Sequence, residues 1–269
     1  MYSCVIPARF ASTRLPGKPL RDMAGQTMIE RVYRAASTSA AERVIVATDD
    51  ERIAEVVRAF GGEVVMTSTE HPSGTDRLAE VAELCGFNDD DVLVNVQGDE
   101  PLMPASVIEQ VATNLVEHPD CGVATLCEAI QNYADFTDPN IVKVVADTQG
   151  HALYFSRAPI PWPRDAMSVG EATLVSSSVF PSPTFPPPMR HIGLYAYRVQ
   201  ALRAFTQLPV AALEAAEALE QLRFLANGVA IHVEVACAEV PGGVDTEADL
   251  QRVCALLVKD EQLIKDRQP

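Results

Sequence analysis

The chain has 269 residues, of which 48% are hydrophobic and 22% charged, an ordinary composition for a globular protein with a substantial core. Its formal net charge of −16 argues against a nucleic-acid-binding role, because phosphate backbones select for basic surfaces. No apolar run is long enough to cross a bilayer, and the six cysteines include no C-x-x-C pair. Since the sequence after Met1 also lacks a signal-peptide pattern, we expect a cytoplasmic protein that is not exported, has no membrane partner and keeps its thiols reduced.

The first half of the chain alternates between short apolar runs and helical periodicity. Strands are predicted at residues 2–7, 43–47, 63–66 and 91–96, and helices at 27–37, 51–60 and 73–85. This order predicts parallel βαβ units, and ligands of such sheets bind beyond the carboxyl ends of the strands.

The second half is richer in strands. They are predicted at residues 122–128, 141–146, 152–156, 191–197 and 230–236, with a hairpin turn at 147–150 and helices at 213–226 and 247–258. A Pro- and Ser-rich segment from about 159 to 188 has little periodicity, which is typical of a lid, an interface arm or disorder. We therefore predict one α/β domain over residues 1–269, with a Rossmann-like, mostly parallel central sheet flanked by helices. Its parts are a βαβ part at 1–120 and an inserted β-rich lobe at roughly 121–200.

The loop that follows the first predicted strand concentrates positive charge in an acidic chain. Residues 1–21 contain no acidic residue but four basic ones, Arg9, Arg14, Lys18 and Arg21. The loop is not a Walker A motif, because Gly17-Lys18 is followed by Pro19 and not by Ser or Thr. Its cations and backbone N–H groups favour a site for a small anion such as phosphate, and the alternative is a solvated, Pro-rich loop.

Two aspartates in Gly-containing loops are candidate ligands for a hard cation. Asp99 follows Gly98 at the end of a predicted buried strand, and Asp245 lies just before the last predicted helix. Mg²⁺ prefers oxygen ligands and usually takes one or two carboxylates together with substrate phosphates. The alternative for either residue is a helix cap, and the sequence alone does not show that the two meet.

Eight segments, in order along nearly the whole chain, resemble the signature segments of the CMP-Kdo synthetases, also called 3-deoxy-manno-octulosonate cytidylyltransferases. They are PARFASTRLPGKPL (7–20), VATDD (46–50), HPSGTDRLAE (71–80), VNVQGDEP (94–101), ALYFSRAPIP (152–161), RHIGLYAY (190–197), LEQLR (219–223) and GVDT (243–246). Each segment is weak evidence alone, but the ordered set is specific.

The resemblance implies a role for each matching position. It implies that the 1–120 part binds CTP, and that residues 121–200 bind the sugar and form a homodimer interface. Implied CTP-binding residues are Pro7, Ala8, Arg9, Ser12, Thr13, Arg14, Lys18, Ser73, Gly74, Arg77, Gln97 and Asp99. Implied sugar-binding residues are Gln97, Arg157, His191, Tyr195, Glu217 and Gln221. Asp99 and Asp245 are implied as the paired Mg²⁺ ligands, and Arg9, Arg14 and Lys18 complete the implied catalytic set.

Some of these residues also have plainer interpretations from their positions alone. Arg77 would otherwise be a solvated helix arginine, and His191 a hydrogen-bonding residue. Glu217 and Gln221, spaced i, i+4 on the helix predicted at 213–226, would be an exposed pair.

The resemblance implies that the protein transfers CMP from CTP to the acidic sugar Kdo and releases pyrophosphate. The product, CMP-Kdo, would be used in lipopolysaccharide synthesis. No enzyme nucleophile is required, and the sequence shows no strong Ser-His-Asp or Cys-His arrangement. One alternative is a CMP-sialic-acid-type synthetase acting on another acidic sugar. An alternative of a different class is a non-catalytic nucleotide-binding protein on the same fold.

Overall fold

The computed structural model describes residues 1–11, 15–164 and 187–266, with side chains described as far as residue 259. Its strands are β1 (Ser3–Ala8), β2 (Asp22–Met23), β3 (Gln26–Thr27), β4 (Val44–Thr48), β5 (Glu63–Met66), β6 (Val92–Asn95), β7 (Val123–Ala129), β8 (Lys143–Ala146), β9 (Ala152–Ser156), β10 (Met189–Arg198) and β11 (Ile231–Val235). Its α-helices are α1 (Met28–Ser37), α2 (Glu51–Ala59), α3 (Gly74–Leu84), α4 (Ala105–Glu117), α5 (Tyr133–Thr137), α6 (Val199–Gln207), α7 (Ala212–Glu217), α8 (Gln221–Ala226) and α9 (Glu247–Asp266). Within these described ranges, none of the helices combines the length and hydrophobicity needed to cross a bilayer.

One large sheet organises the fold, with strand order β11-β7-β10-β6-β1-β4-β5. β1 pairs in parallel with β4 and β6, β4 with β5, and β11 with β7, whereas β10 runs antiparallel between β6 and β7. The β8–β9 hairpin adds to this sheet through antiparallel pairing of β8 with the start of β10. The predicted α/β class with a mostly parallel sheet is therefore confirmed.

Alternation along β1 shows how the two faces of the sheet form two cores. Cys4 and Ile6 join a cluster with residues of α1, α2 and α4, while Val5 joins a second cluster with residues of α3, α6 and α8. Successive side chains of a strand point to opposite faces, so a continuous apolar strand requires helices on both sides. The result is a three-layer α/β/α arrangement.

Helix starts follow the capping chemistry of the sequence. The side chains of Thr27, Asp50 and Ser73 accept hydrogen bonds from backbone N–H groups at the starts of α1, α2 and α3. These bonds satisfy donors that have no partner within the helix. The predicted starts of these three helices agree with the structure to within one residue.

The single helix predicted at 213–226 is wrong. The chain forms α7 and α8 there, separated by Ala218, whose φ of 51° and ψ of 51° lie in the left-handed region. An α-helix cannot continue through such a residue. Glu217 and Gln221 therefore do not share one helix face, and the predicted i, i+4 pair does not exist.

Several further elements differ from the sequence prediction. Helices α4 and α6 and the small β2–β3 hairpin were not predicted. β7 and β10, assigned by sequence to the lobe at 121–200, are hydrogen-bonded within the central sheet. Most of the Pro- and Ser-rich segment predicted at 159–188 lies outside the described residues.

Candidate active site

The carboxyl ends of β1 and β6 lie side by side and open into a cavity of about 440 Å³, here called the first cavity. Parallel strands place their following loops at one edge of the sheet, where ligands of such folds bind. The lining residues are Pro7, Ala8, Arg9, Ala11, Lys18, Pro19, Gly74, Gln97, Gly98, Asp99 and Asp245.

Lys18 brings the two predicted metal ligands together. Its Nζ donates to Asp99 Oδ2 at 2.6 Å and to Asp245 Oδ1 at 2.9 Å. The two carboxylate oxygens are therefore no further apart than the sum of these distances, although the residues are far apart in sequence. The side chains of Asp99 and Asp245 are 35% and 47% exposed, so both face the cavity and not the core.

A backbone contact explains why Asp245 reaches Asp99. Val244 N–H donates to the carbonyl oxygen of Asp99 at 2.8 Å. A Cβ at Gly243 would lie 3.1 Å from that same oxygen, so the close approach of the two loops is easiest with glycine. The cap of α9 is formed by Thr246, which exchanges hydrogen bonds with Asp249. The helix-cap interpretation of Asp245 is therefore wrong.

Gly98 allows the ends of β1 and β6 to approach each other. A Cβ at this position would lie 2.7 Å from the carbonyl oxygen of Pro7, closer than real Cβ contacts allow. The glycine therefore fixes how near Asp99 lies to the loop that follows β1.

Arg9 and Arg77 have different surroundings. Arg9 lines the first cavity and its Nη2 donates to the carbonyl oxygen of His71 at 2.6 Å. Arg77 is fully buried, where it pairs with Asp49 at 2.6 Å and donates to Thr67, and it lines neither cavity. Ser73 caps α3, next to Gly74, which lines the cavity. Ser12, Thr13 and Arg14, also predicted here, lie outside the described residues.

A second cavity of about 270 Å³ adjoins the first and shares Gly74 and Gln97 with it. Its lining residues are Gly74, Thr75, Asn95, Gln97, Tyr195, Tyr197, Ala218, Leu219, Glu220, Gln221 and Phe224. Of the predicted sugar-binding residues, this cavity brings together Gln97, Tyr195 and Gln221. The amide of Gln97 is held by a 3.1 Å hydrogen bond to the carbonyl oxygen of Gly193.

The polar groups of the second cavity include three that sequence reasoning missed. Asn95 Oδ1 is buried and has no hydrogen-bond partner among the described residues. Burial raises the pKa of Glu220, and burial raises that of Tyr197 as well. Asn95 and Gln97 alternate along the end of β6, so the i, i+2 spacing within the VNVQGDEP segment is a signal that would have identified Asn95.

The other three predicted sugar-binding residues line neither cavity. Glu217 accepts hydrogen bonds from Ser156 Oγ at 2.6 Å and from the N–H of Arg157 at 2.9 Å. The Arg157 guanidinium donates to backbone carbonyls, including that of Glu217 at 2.7 Å. His191 contacts Thr125 Oγ1 at 3.0 Å and packs beside Tyr195, and loss of water around its ring lowers its pKa to about 3.

Glu100 is a further buried carboxylate behind the first cavity. Burial raises the pKa of Glu100 to about 8, and the neighbouring Asp99 carboxylate adds to the rise. Its Oε2 has no hydrogen-bond partner among the described residues. Both effects favour the protonated form of Glu100, and the positive charges of Arg190 and Lys18 only partly oppose them.

Comparison with known proteins agrees with this geometry. A family model described as cytidylyltransferase matches residues 3–231. A 3-deoxy-manno-octulosonate cytidylyltransferase of Cellvibrio japonicus is 60% identical over 256 residues, and one of Alcanivorax borkumensis is 57% identical; each alignment covers 95% of this chain and 98% of the relative.

Solved structures give the same result. A CMP:2-keto-3-deoxy-manno-octonic acid synthetase complexed with CTP is 42% identical, with a TM-score of 0.85 and coverage of 96% of this chain and 99% of that chain. A cytidylyltransferase from Leptospira borgpetersenii, 13% identical with a TM-score of 0.58, supports the fold alone. The chain therefore belongs to the cytidylyltransferase family and, within it, to the 3-deoxy-manno-octulosonate cytidylyltransferases.

Proposed function

We propose that this protein transfers CMP from CTP to Kdo and releases pyrophosphate. The observation that carries the proposal is the convergence of Lys18, Asp99 and Asp245 at one wall of the first cavity, directly beside a second cavity lined by polar and aromatic groups. Two adjoining cavities suit a reaction that joins two substrates. The names of the relatives, and the CTP complex of one of them, support the choice of substrates.

The donor set fits a divalent cation such as Mg²⁺. Two carboxylates already converge on one positive group, and both are open to the first cavity. Hard oxygen donors are the ligands that Mg²⁺ prefers, and substrate phosphates usually complete its coordination. Asp99 and Asp245 would hold the ion, which when bound would offset the charge of the α-phosphate.

The residues of the first cavity would act by positioning and by charge. The sugar's anomeric hydroxyl oxygen attacks the α-phosphorus of CTP and its proton is released to solvent, while a new P–O bond forms and the bond to pyrophosphate breaks. Arg9 and Lys18 line the cavity and would neutralise the phosphate oxygens as charge moves to the leaving group, with Arg14 assigned the same role by the family motif. No covalent enzyme intermediate is needed, so rate acceleration comes from orientation and preorganised charge.

The residues of the second cavity would hold the sugar. Tyr195 and Gln221 present a ring and an amide to this cavity, and Gln97 lies between the two cavities. Three residues that line neither cavity would support the wall of the second cavity. Arg157 and Glu217 brace the break between α7 and α8. His191 packs beside Tyr195, which lines the cavity.

We also propose a homodimer in the cytoplasm. The exposed side chains of Leu153 and Trp162 supply apolar surface on and after β9, within the region that the family motif assigns to dimerisation. All six cysteines are free, which agrees with a reducing compartment. Light scattering of the purified protein measures the assembly directly, and a monomer at micromolar concentration would contradict the dimer.

Pyrophosphate release from the purified protein tests the proposal. Release is expected with CTP, Mg²⁺ and Kdo together, and not when ATP or GTP replaces CTP. Release with a sialic acid but not with Kdo would reassign the sugar. No release with any acidic sugar would favour a nucleotide-binding protein.

Two variants test the metal ligands. Asp99→Asn and Asp245→Asn should each lower kcat/KM by about 10²-fold, which corresponds to about 3 kcal/mol of transition-state stabilisation. Asp22→Asn, an exposed aspartate on the β2–β3 hairpin, is the matched control and should retain full activity. Normal turnover by Asp99→Asn would rule out its role as a metal ligand.

A further inference from the structure

A cluster of three metal-ligating side chains lies outside both cavities. Asp120 and Cys121 occupy the loop between α4 and β7, and His151 lies at the turn between β8 and β9. His151 Nε2 is 2.8 Å from Asp120 Oδ2, and one ligand atom from each of the three residues lies within 4.8 Å of the other two.

The imidazole of His151 is held in a fixed orientation. Its Nδ1 lies 3.3 Å from Asp147 Oδ2, while Asp147 Oδ1 accepts hydrogen bonds from the backbone N–H groups of Gln149 and His151 at 2.8 and 2.9 Å. This arrangement leaves Nε2 directed at Asp120. Metal-bound histidines commonly pair their second ring nitrogen with a carboxylate in this manner.

We propose that Asp120, Cys121 and His151 form a second metal site, which binds a thiophilic divalent cation such as Zn²⁺. A sulfur, an imidazole nitrogen and a carboxylate oxygen form a donor set that suits Zn²⁺ and not Mg²⁺, which prefers oxygen. Tetrahedral Zn²⁺ at its usual bond lengths needs ligand atoms roughly 3.5 Å apart. The present spacing, from 2.8 Å to within 4.8 Å, brackets that value, so small side-chain rotations are sufficient.

The buried side of the cluster is formed by Cys121. This residue is only 1% exposed, whereas His151 is partly exposed. Binding would form the metal–sulfur bond and release the thiol proton to solvent. The buried ring of His232 lies close enough to Asp120 and His151 to be influenced by their charges, and its Nδ1 has no hydrogen-bond partner among the described residues. This ring stacks on His118, with 3.6 Å between the ring centroids, and is not one of the three ligands of the group.

The site would join two parts of the fold that are distant in sequence. A bound ion would tie the loop before β7 to the turn of the β8–β9 hairpin, which already contacts β11 through a 2.7 Å hydrogen bond from the N–H of Val233 to the carbonyl oxygen of Gly150. The role is structural and does not depend on the transferase reaction.

Cobalt spectroscopy tests the proposal. Co²⁺ is added to the full-length protein in excess Mg²⁺, which saturates carboxylate sites that prefer a hard ion. The expected result is a near-ultraviolet thiolate-to-cobalt charge-transfer band that Zn²⁺ abolishes at one equivalent. Absence of the band in the wild-type protein would overturn the proposal.

Four variants locate the signal. Cys121→Ser and His151→Gln should remove the band or weaken Co²⁺ binding by more than about 10-fold, whereas Cys237→Ser, which changes an exposed cysteine elsewhere, should leave it intact. Asp147→Asn keeps the oxygen that accepts from the backbone but loses the second carboxylate oxygen, and should weaken Co²⁺ binding by about 10- to 100-fold.

A band that persists in both Cys121→Ser and His151→Gln would refute the site. Because His151 is partly exposed, its variant keeps the test decisive if Cys121→Ser does not fold. Pyrophosphate release by His151→Gln should stay at the wild-type rate, so this result is separable from the proposed function.

Discussion

Lys18 keeps two aspartates of the first cavity close together before any substrate binds. Its side chain is 13% exposed and donates to both carboxylates, so one positive charge partly offsets two negative ones. Like charges this close would otherwise repel. The lysine therefore holds the two carboxylates in place, and a metal or a triphosphate would compete for the same groups.

Asn95 provides a test of the second cavity at a single atom. Its buried Oδ1 lacks a hydrogen-bond partner among the described residues, and it lines the cavity assigned to the sugar. Asn95→Ala should raise KM for Kdo by about 3- to 10-fold, because the loss of one hydrogen bond to the sugar weakens binding by about that factor. KM for CTP should stay unchanged. Steady-state kinetics with each substrate varied in turn make the measurement.

The control for Asn95 is Asn114, which is also buried with an unpaired amide atom among the described residues, but lies on α4 away from both cavities. Asn114→Ala should change neither KM. An equal rise in both KM values for Asn95→Ala would contradict the assignment of this cavity to the sugar.

His191 should make stability depend on pH. Burial lowers the pKa of the His191 ring to about 3 in the folded protein, whereas an unfolded histidine has its ordinary pKa of about 6.5, so the unfolded state binds more protons between these values. Its contribution is fully present above pH 6.5 and is lost as pH falls. Between pH 7.5 and 5 the wild-type protein should lose roughly 2 kcal/mol that His191→Gln does not lose. Urea unfolding of both proteins at the two pH values measures the difference, and parallel losses would refute the prediction.

Sequence reasoning identified the residues of the first cavity better than those of the second. Asp99, Asp245, Lys18 and Arg9 lie in loops with unusual residue types, and the structure places all four in one cavity. Asn95 and Glu220 were missed because they line a cavity only when residues from several separate elements come together. The family resemblance implies a CTP-binding role for Arg77, and the sequence does not show that Asp49 lies beside it in the interior.

At the scale of elements, the break between α7 and α8 shows tertiary contacts overriding helix propensity. Alanine is the best helix former, yet Ala218 is left-handed. Arg157 donates to the carbonyls of Glu217 and Ala218, and Ser156 binds the Glu217 carboxylate. Contacts with β9 and the residue after it therefore end the helix, and no local pattern could predict this.

Other elements were missed although their pattern is local. Helix α4 buries Val107, Ile108, Val111, Ala112 and Leu115, which follow helical spacing. This signal is present in the sequence and would have predicted the helix. The strands of the central sheet were predicted well because apolar runs of this length require burial on both faces.

Gly98 tests how closely β1 and β6 must approach. In Gly98→Ala the new Cβ meets the Pro7 carbonyl oxygen, a backbone atom that cannot rotate away. We expect a loss of about 1–3 kcal/mol in the free energy of unfolding, together with reduced activity as Asp99 is displaced. Thermal and urea unfolding give the first quantity, and pyrophosphate release gives the second.

Gly193→Ala is the matched control, because nothing lies within 4 Å of its new Cβ. Its free energy of unfolding should be at most about 1 kcal/mol below that of the wild-type protein. If the two substitutions destabilise the protein equally, Gly98 is needed for its backbone flexibility and not for the close approach of β1 and β6.

At the scale of the whole molecule, the net charge of −16 opposes compaction. Salt screens repulsion between surface charges, with a Debye length of about 10 Å at about 0.1 M. Raising NaCl from about 0.01 M to about 0.2 M should therefore raise Tm. Sucrose at equal osmolality is the non-ionic control and should have a smaller effect, and a fall in Tm with NaCl would contradict the argument.

The hydrogen bond between Val244 and Asp99 has a consequence for synthesis. A ribosome makes residue 99 long before residue 245, and the early βαβ units can pack while later segments are still being translated. The carboxylate pair is complete only once the GVDT segment has emerged and docked on the loop after β6. A nascent chain that stops before this segment holds half of the proposed metal site, so catalytic competence is acquired near the end of translation.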